Sequence, residues 1–477
     1  MSDSLKEKAT KGVLWSTLER FSVQGVQFFL MIFMARLLTP NDYGLIGMLS
    51  IFLAIAQSLI DSGFSQALIR KQNRTEIDKS TVFYFNIVVS GALYLILFIS
   101  APYVSDFYNE PELKSIMRAM CLTIVIGSFS IVQYALLTIN VDFKKIAKIS
   151  LISISISGVI GVLLAYKGLG VWAIVYQSLL NSIINCCLIW ILAKWKPQKS
   201  FSWESFNELF SFGSKLLASG LLDTLYRNIY PLIIGKAFSA SDLGYYTRAL
   251  HFSEFPSSNV TGVLQKVTYP ILCSIQNNDD RLRDIYRRFL KMSAFIVFPL
   301  MTGLAAVSHP FINLIIGEKW SFCAVLLQII CFNMMWYPIH AINLNLLQVK
   351  GRSDLYLRLE FIKKIVGIII IIITVPLGLV AMCYGGVTSS LICLFINTYY
   401  TGKLINVSFF MQMRDLLPTF ILSIAMFIII LYTIHFISNI FLQLFIGIVI
   451  GMITYIGSSY ILKFNELKEV LSILKRK

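Results

Sequence analysis

The chain has 477 residues, of which 57% are apolar and only 14% are charged, and its mean hydropathy is +0.73. Because ordinary soluble domains carry about a quarter charged residues, this composition excludes a soluble globular protein. The 41 Lys and Arg exceed the 25 Asp and Glu, which gives a net charge of +16. The topology of a membrane protein can explain that excess without nucleic acid as a partner.

The N-terminus, "MSDSLKEKATKGVLW", has the basic start of a secretory signal peptide. The apolar segment that follows contains Glu19 and Arg20, and no small-residue cleavage site closes it. We therefore expect a retained first membrane helix with the N-terminus in the cytoplasm.

Apolar runs of membrane-spanning length recur along the chain. They predict an all-α polytopic membrane protein with about fourteen transmembrane helices. The predicted spans are 13–36, 42–62, 79–101, 113–135, 147–166, 170–193, 209–235, 242–265, 289–308, 321–345, 359–376, 378–401, 416–436 and 439–462. Most Lys and Arg fall in the segments that this layout places inside, and the outside loops are short, so both termini are expected in the cytoplasm.

A repeated sequence divides the predicted helices into two similar sets. "ARLLTPNDYGLIG" begins at Ala35, and "GKAFSASDLGYYT" begins two hundred residues later. Further along, "APYVSDFY" resembles "SHPFINLI", and "GLGVWAIVY" resembles "PLGLVAMCY". Ordered matches predict two pseudo-symmetric six-helix lobes, residues 1–200 and 201–410, around a central cavity, with a helix pair and basic tail at 411–477. We expect Asp42 and Asp242 to cap the second helix of each lobe.

Ionisable residues at membrane depth are costly and therefore indicate function. The seventh predicted helix carries Lys215, Asp223 and Arg227, the last two at a spacing that also allows a structural ion pair. The eighth, "LGYYTRALHFSEFPSSNV", carries Arg248, His251 and Glu254. We expect this helix to line a cavity and its Pro256 to kink it. For Glu19, Arg20 and Lys215, an interfacial position near the cytoplasm is the alternative. The "RLRDIYRRFLK" segment is expected to be an amphipathic cytoplasmic anchor.

Enzyme and metal motifs are missing from the sequence. There is no GxSxG, P-loop, HExxH or suitably placed GxGxxG, and the eight cysteines form no CxxC pair. We predict neither an enzyme nor a metal or cofactor site.

Several segments together resemble Wzx-type polysaccharide flippases, notably the colanic-acid-exporter-like branch. They are "ERFSVQGVQF", "ARLLTPNDYGLIGM", "IDSGFSQALIRK" and "TEIDKSTVFYFN" in the first half, and the "LGYYTRALHFSEFPSSNV" region in the second. The resemblance implies membership of the multidrug/oligosaccharidyl-lipid/polysaccharide exporter superfamily. It implies translocation of a polyprenyl-pyrophosphate-linked oligosaccharide across the bacterial cytoplasmic membrane by alternating access, with H⁺ or Na⁺ as a coupling ion and membrane lipids and polysaccharide polymerases as partners.

The resemblance also implies site residues. Arg20, Lys215, Arg227 and Arg248 are the cations that would contact pyrophosphate and sugar, and Glu19 and Asp223 are coupling or pairing carboxylates. His251 and Glu254 join them because they lie on the same helix as Arg248. The charges at membrane depth are nearly balanced, unlike the strongly cationic cavity of the family.

Helical amides suit sugar hydroxyls, although pairing between helices competes for them. The amides available at membrane depth are Gln24, Gln27, Asn86, Gln133, Gln177 and Asn181. Two other functions stay open: a multidrug cation antiporter of the same fold, which Lys215, Arg227 and Arg248 disfavour, and a flippase of another lipid-linked precursor. A membrane glycosyltransferase or polymerase is disfavoured by the short outside loops.

Overall fold

The computed structural model describes residue 15, residues 22–61 and residues 63–475. Within these ranges, the side chains at 215, 216, 219, 470, 471 and 473–475 are not described. All regular elements in the described ranges are helices. They form two compact units, Met1–Gly244 (unit 1) and Tyr245–Lys477 (unit 2).

Unit 1 contains eleven helices and the start of a twelfth. They are α1 (Ser22–Leu37), α2 (Pro40–Asp61), α3 (Phe64–Arg70), α4 (Glu76–Tyr108), α5 (Leu113–Met120), α6 (Leu122–Ser128), α7 (Ile131–Ile139), α8 (Phe143–Tyr166), α9 (Val171–Ala193), α10 (Trp203–Arg227), α11 (Ile229–Ala237) and α12 (Ala240–Ser274).

Unit 2 contains the rest of α12 and nine further α-helices. They are α13 (Asp279–Ala306), α14 (Ser308–Ile315), α15 (Ser321–Met334), α16 (Tyr337–Val349), α17 (Ser353–Thr374), α18 (Leu379–Ile405), α19 (Phe409–His435), α20 (Ile440–Ile461) and α21 (Asn465–Lys475). Short 3₁₀ turns at Glu318–Trp320 and Val375–Leu377 precede α15 and α18.

The helices have the length and composition of membrane spans. Among the described residues, nine helical runs are long and apolar enough to cross a bilayer, and the bent run from Leu113 to Ile139 raises the number to ten. Each described part of the fourteen predicted spans is helical, but several spans are interrupted. The span 321–345, for example, divides at Met335 and Trp336, between α15 and α16. Pro338, the second residue of α16, has no backbone N–H to donate to the Met334 carbonyl at the end of α15. The number fourteen stays a prediction.

The repeated sequence starts a helix in both copies. Thr39 precedes α2, and its backbone N–H and hydroxyl both donate to Asp42 Oδ2, at 2.8 and 2.7 Å. Ser239 precedes α12 and donates to Asp242 Oδ2 in the same way, at 3.2 and 2.8 Å. In return, the backbone N–H of each aspartate donates to the hydroxyl of Thr39 or Ser239. The predicted caps are confirmed, as reciprocal capping boxes.

The starts of α2 and α12 also lie against each other. A Cβ atom at Gly44 would lie 1.6 Å from the Ala240 carbonyl oxygen, and one at Gly244 would lie 1.9 Å from the Pro40 carbonyl oxygen. Both glycines therefore allow backbone-to-backbone contact, as small residues do at membrane helix interfaces. This contact within unit 1 explains why both copies have a glycine two residues after the aspartate, Gly44 in the first and Gly244 in the second.

The core of unit 1 joins helices that are distant in sequence. Phe64 of α3, Val82 and Phe83 of α4, Val132 of α7 and Leu209 of α10 are all buried in one apolar cluster. At its edge, buried Asp78 accepts from Lys71 Nζ at 3.0 Å and takes part in the capping box that begins α4. The apolar cluster holds α3 and α7 in place, and both helices contribute to the cavity described below.

The core of unit 2 is built around α13. Fully buried Tyr286 donates to Asn343 Oδ1 of α16 at 2.8 Å and lies 3.2 Å from Gln412 Oε1 of α19. The next residue, Arg287, donates twice to Asp415, at 2.6 and 2.7 Å. The basic run at 281–291 is thus the beginning of α13 and is amphipathic, as predicted. Its role as a cytoplasmic anchor stays a prediction. Leu282, Tyr286 and Leu290 recur every four residues and form its buried face.

Candidate functional site

Three of the predicted site residues lie wholly or partly outside the described structure. Glu19 and Arg20 fall in the gap before Ser22, and the backbone of Lys215 is described within α10 without its side chain. Gln24 is described as a half-buried residue of α1.

Asp223 and Arg227 form an ion pair along α10. Arg227 Nε lies 2.8 Å from Asp223 Oδ2, and the two side chains are 54% (Asp223) and 77% (Arg227) exposed. Exposed pairs with this spacing contribute only about 0.3–0.5 kcal/mol. The pair therefore stabilises unit 1 little, and its charges stay accessible.

The predicted polar face of the eighth span lies on α12. Arg248 and Glu254 are half-buried and His251 is exposed, while Phe252 and Ser253, next to His251, are buried. The helix continues through Pro256 to Ser274, beyond the predicted end at 265. Arg248, His251 and Glu254 thus share one segment of a single helix, as the sequence predicted.

Unit 1 encloses a polar cavity of about 400 Å³ between five helical segments. This volume is in the range of about 300–1,000 Å³ that small-molecule sites occupy. Its lining residues are Gln57 and Asp61 of α2, Ser65 and Ile69 of α3, Gly127 of α6, Ser130, Ile131, Tyr134, Ala135 and Thr138 at and within α7, and Asn181, Ser182 and Asn185 of α9.

Hydrogen bonds hold the polar groups of the cavity in place. Gln57 Nε2 donates to Asp61 Oδ1 at 3.2 Å. The Tyr134 hydroxyl lies 3.0 Å from Asn185 Oδ1 and 2.9 Å from its Nδ2. Ser157 of α8 lies 3.4 Å from Asn181 Oδ1. These pairs link α7, α8 and α9, so the cavity wall is ordered by its own polar contacts.

The charge of the cavity is distinctive. Among its described lining residues, Asp61 is a carboxylate and none is lysine or arginine. The wall therefore offers amides, hydroxyls, one phenol and one negative charge, a combination that suits hydroxyl-rich or amine-bearing ligands.

Sequence reasoning found this cavity only in part. Asn181 was among the predicted sugar-binding amides and does line the cavity. Nothing in the sequence placed Tyr134 and Asn185 together, because 51 residues separate them. Asn86 and Gln133, also predicted for sugars, are fully buried outside the cavity lining.

Unit 2 contains a second polar cluster inside its helices. His340 Nε2 lies 3.0 Å from Ser390 Oγ, and Asn397 Nδ2 lies 3.1 Å from His340 Nδ1. Lys363 pairs with Glu360 on the neighbouring α17. Lys363 falls within the predicted span 359–376, and its side chain is only 15% exposed.

Unit 2 also has an apolar groove of about 380 Å³. Its lining comes from α13, α19 and α20, together with Val307 and Phe311. Gly303, Gly447 and Gly451 keep the wall open, while Leu300 and Met452 extend it. Such a wall accommodates hydrocarbon and offers little to a sugar.

The comparisons with known proteins decide the family. The family described as "Polysaccharide biosynthesis protein" matches residues 33–325, more than half of the chain. The chain belongs to this polysaccharide biosynthesis protein family. The matched region includes the cavity of unit 1 and α12.

Two curated relatives align over most of the chain. The "Teichuronic acid biosynthesis protein TuaB" of Bacillus subtilis is 25% identical over 354 residues, which cover 74% of this chain and 73% of the relative. The "Lipopolysaccharide biosynthesis protein WzxC" of Escherichia coli is 24% identical over 401 residues, or 83% of this chain and 80% of the relative. The predicted resemblance to Wzx-type proteins is confirmed.

A solved structure shares the fold. The "Lipid II flippase MurJ, inward closed conformation" superimposes with a TM-score of 0.76 at 17% identity, covering 94% of this chain and 99% of that chain. The polysaccharide biosynthesis family member described here is therefore an all-α polytopic membrane protein with a transporter fold.

Proposed function

We propose that this chain is a flippase that moves a polyprenyl-pyrophosphate-linked oligosaccharide, the repeat unit of a polysaccharide, from the cytoplasmic to the outer leaflet by alternating access. The observation that carries the proposal is a sugar-suited polar cavity within the helices of a polysaccharide biosynthesis family member. The names of two similar proteins support the proposal, since WzxC is named for lipopolysaccharide biosynthesis and MurJ for flipping lipid II.

The two cavities match the two ends of such a substrate. Sugar hydroxyls cannot enter hydrocarbon without hydrogen-bond partners, and the amides and hydroxyls of the unit 1 cavity provide them. The polyprenyl tail needs only an apolar surface, which the groove of unit 2 provides. Lys215, Arg227 and Arg248 disfavour a multidrug cation antiporter, which would favour a cavity without balancing cations.

The pyrophosphate requires cations. Arg248 on α12 and Arg227 on α10 are candidates for this role, with Arg20 and Lys215 as further candidates and His251 and Gln24 as neutral hydrogen-bonding groups. Glu19, Asp223 and Glu254 are candidates to bind H⁺ or Na⁺ if the cycle is ion-coupled. We place the protein in the bacterial cytoplasmic membrane with both termini inside, in the same biosynthetic system as a polysaccharide polymerase.

Depletion of the protein in its native host tests the function. We expect lipid-linked oligosaccharide to accumulate on the cytoplasmic face of the membrane and outside polymer to fall, with both restored by the wild-type chain. Sugar analysis of the accumulated lipid would identify the cargo. Accumulation of a peptide-bearing precursor would instead show a flippase for another lipid-linked cargo, and unchanged sidedness in a host without a redundant flippase would reject the proposal.

A further inference from the structure

The cavity of unit 1 differs from what a lipid-linked pyrophosphate needs. Its described lining has one carboxylate, Asp61, and no lysine or arginine. A phosphate or uronate placed there would face the like charge of Asp61, with no lysine or arginine of the described lining to offset it. The cavity therefore selects against anions, although the proposed substrate carries an anionic group.

The same wall is well suited to uncharged sugar. Hydroxyl groups need both donors and acceptors, which Asn181, Asn185 and Gln57 supply together through their amides. Tyr134 adds an aromatic ring and a hydroxyl that is already oriented by Asn185 at 3.0 Å. Asp61 can accept two hydroxyl hydrogens or pair with the amine of an amino sugar.

We propose that the unit 1 cavity is a glycan subsite that accepts uncharged and amino sugars and rejects acidic sugars and the pyrophosphate. This inference rests on the proposed function and adds the chemical class of sugar that the cavity takes. Asp61 is the selecting group, because it supplies the charge, and Asn181, Asn185 and Tyr134 are the recognising groups.

Equilibrium binding of three soluble sugars tests this subsite. The full-length protein in lipid nanodiscs is titrated with N-acetylglucosamine, glucosamine and glucuronic acid, and binding is followed by saturation-transfer NMR. We expect the wild-type chain to bind the first two at least about tenfold more tightly than glucuronic acid. Asp61→Asn should bring the three affinities within about threefold, because the repelling charge is lost and the size is kept.

Two further variants keep the test informative. Asn181→Asp adds a second carboxylate at nearly constant volume and should weaken glucuronic acid binding further while sparing glucosamine. Asp280→Asn changes a carboxylate that is 89% exposed on α13 and serves as the matched control, with wild-type selectivity expected. Asp61→Asn with unchanged selectivity, or wild-type protein that prefers glucuronic acid, would overturn the subsite.

The outcome separates this inference from the proposed function. Asp61-dependent selectivity together with unchanged lipid sidedness on depletion would reject the flippase and keep the sugar subsite. Lipid accumulation on depletion without Asp61-dependent selectivity would keep the flippase and reject the subsite.

Discussion

At the scale of single residues, α12 combines a half-buried arginine with a fully buried neighbouring surface. Arg248 directly precedes Ala249 and lies one turn before Phe252, and these two residues are 0% and 3% exposed. A guanidinium at membrane depth costs about 2.5–3.5 kcal/mol on insertion scales. Such a cost is tolerated where the charge is needed, so we expect Arg248 to contact the pyrophosphate of the substrate.

Arg248→Ala is expected to reduce transport by about tenfold or more without loss of protein from the membrane. Arg248→Lys should retain part of the activity, because it keeps the charge but loses the planar fork of donors. Arg281→Ala, an exposed residue near the start of α13, is the control with activity unchanged. Complementation of the depleted host measures activity, and immunoblotting of membranes measures protein. Full activity of Arg248→Ala would remove this residue from the site.

Residue patterns within a few positions were predictable, and distant pairs were not. The reciprocal bonds of Asp42 and Asp242 follow from a spacing of three residues at a helix start. Asp415, by contrast, is 6% exposed and meets Arg287 across 128 residues. A lone aspartate near the start of α19 carries no sequence signal for such a partner, because the pairing depends on how α13 and α19 pack.

At the scale of helices, the contact between the starts of α2 and α12 depends on two glycines. Gly44→Ala and Gly244→Ala would each place a methyl group within 2 Å of a backbone carbonyl oxygen. Backbone cannot move aside as a side chain can, so we expect each change to cost about 3 kcal/mol, the upper end of overpacking. Thermal unfolding of the detergent-purified protein, followed by size-exclusion chromatography, measures the loss.

Gly91→Ala in α4 is the matched control for these substitutions. A Cβ atom at Gly91 would have no heavy atom within 4 Å. Alanine also favours the helix over glycine by about 0.5–1 kcal/mol, so this variant should match or exceed wild-type stability. Equal melting of the Gly44→Ala and Gly91→Ala variants would contradict the tight contact.

The helices were predictable because a membrane helix is recognised from the apolar composition of a single continuous segment. Apolar runs and caps are read within one segment, and the predicted spans coincide with helices wherever the structure describes them. Their interruptions were harder to foresee. The bend of 42° between α6 and α7 has no proline, whereas the break of the seventh span between Arg227 and Ile229 comes just before Pro231, which cannot donate a backbone N–H to the Arg227 carbonyl.

At the scale of the whole molecule, the polar cavity of unit 1 suits sugar and the apolar groove of unit 2 suits hydrocarbon. The repeat and the charge asymmetry along the chain predicted a membrane transporter, and the family match confirms the relationship. The lining of neither cavity could be predicted from the sequence. The lining of each comes from residues separated by more than a hundred positions, and such sets share no local period.

The groove of unit 2 provides the test of this division. Ile448 lines the groove and is 44% exposed, whereas Ile453, five residues later on α20, is 66% exposed and does not line it. Ile448→Trp would fill the groove with an indole ring, while Ile453→Trp adds the same ring elsewhere on the helix. If the groove holds the polyprenyl tail, only Ile448→Trp should slow flipping of an undecaprenyl-linked sugar, by about tenfold.

The length of the tail distinguishes a blocked groove from a damaged fold. In proteoliposomes, a soluble analogue whose pyrophosphate carries a methyl group in place of the prenyl chain would leave the groove empty, so Ile448→Trp should transport it at nearly the wild-type rate. A variant that slows both substrates equally would indicate damage to α20 rather than a lost tail site. Equal rates for Ile448→Trp and Ile453→Trp on the undecaprenyl substrate would show that the tail stays in the bilayer, and transport would then depend on the sugar and pyrophosphate contacts alone.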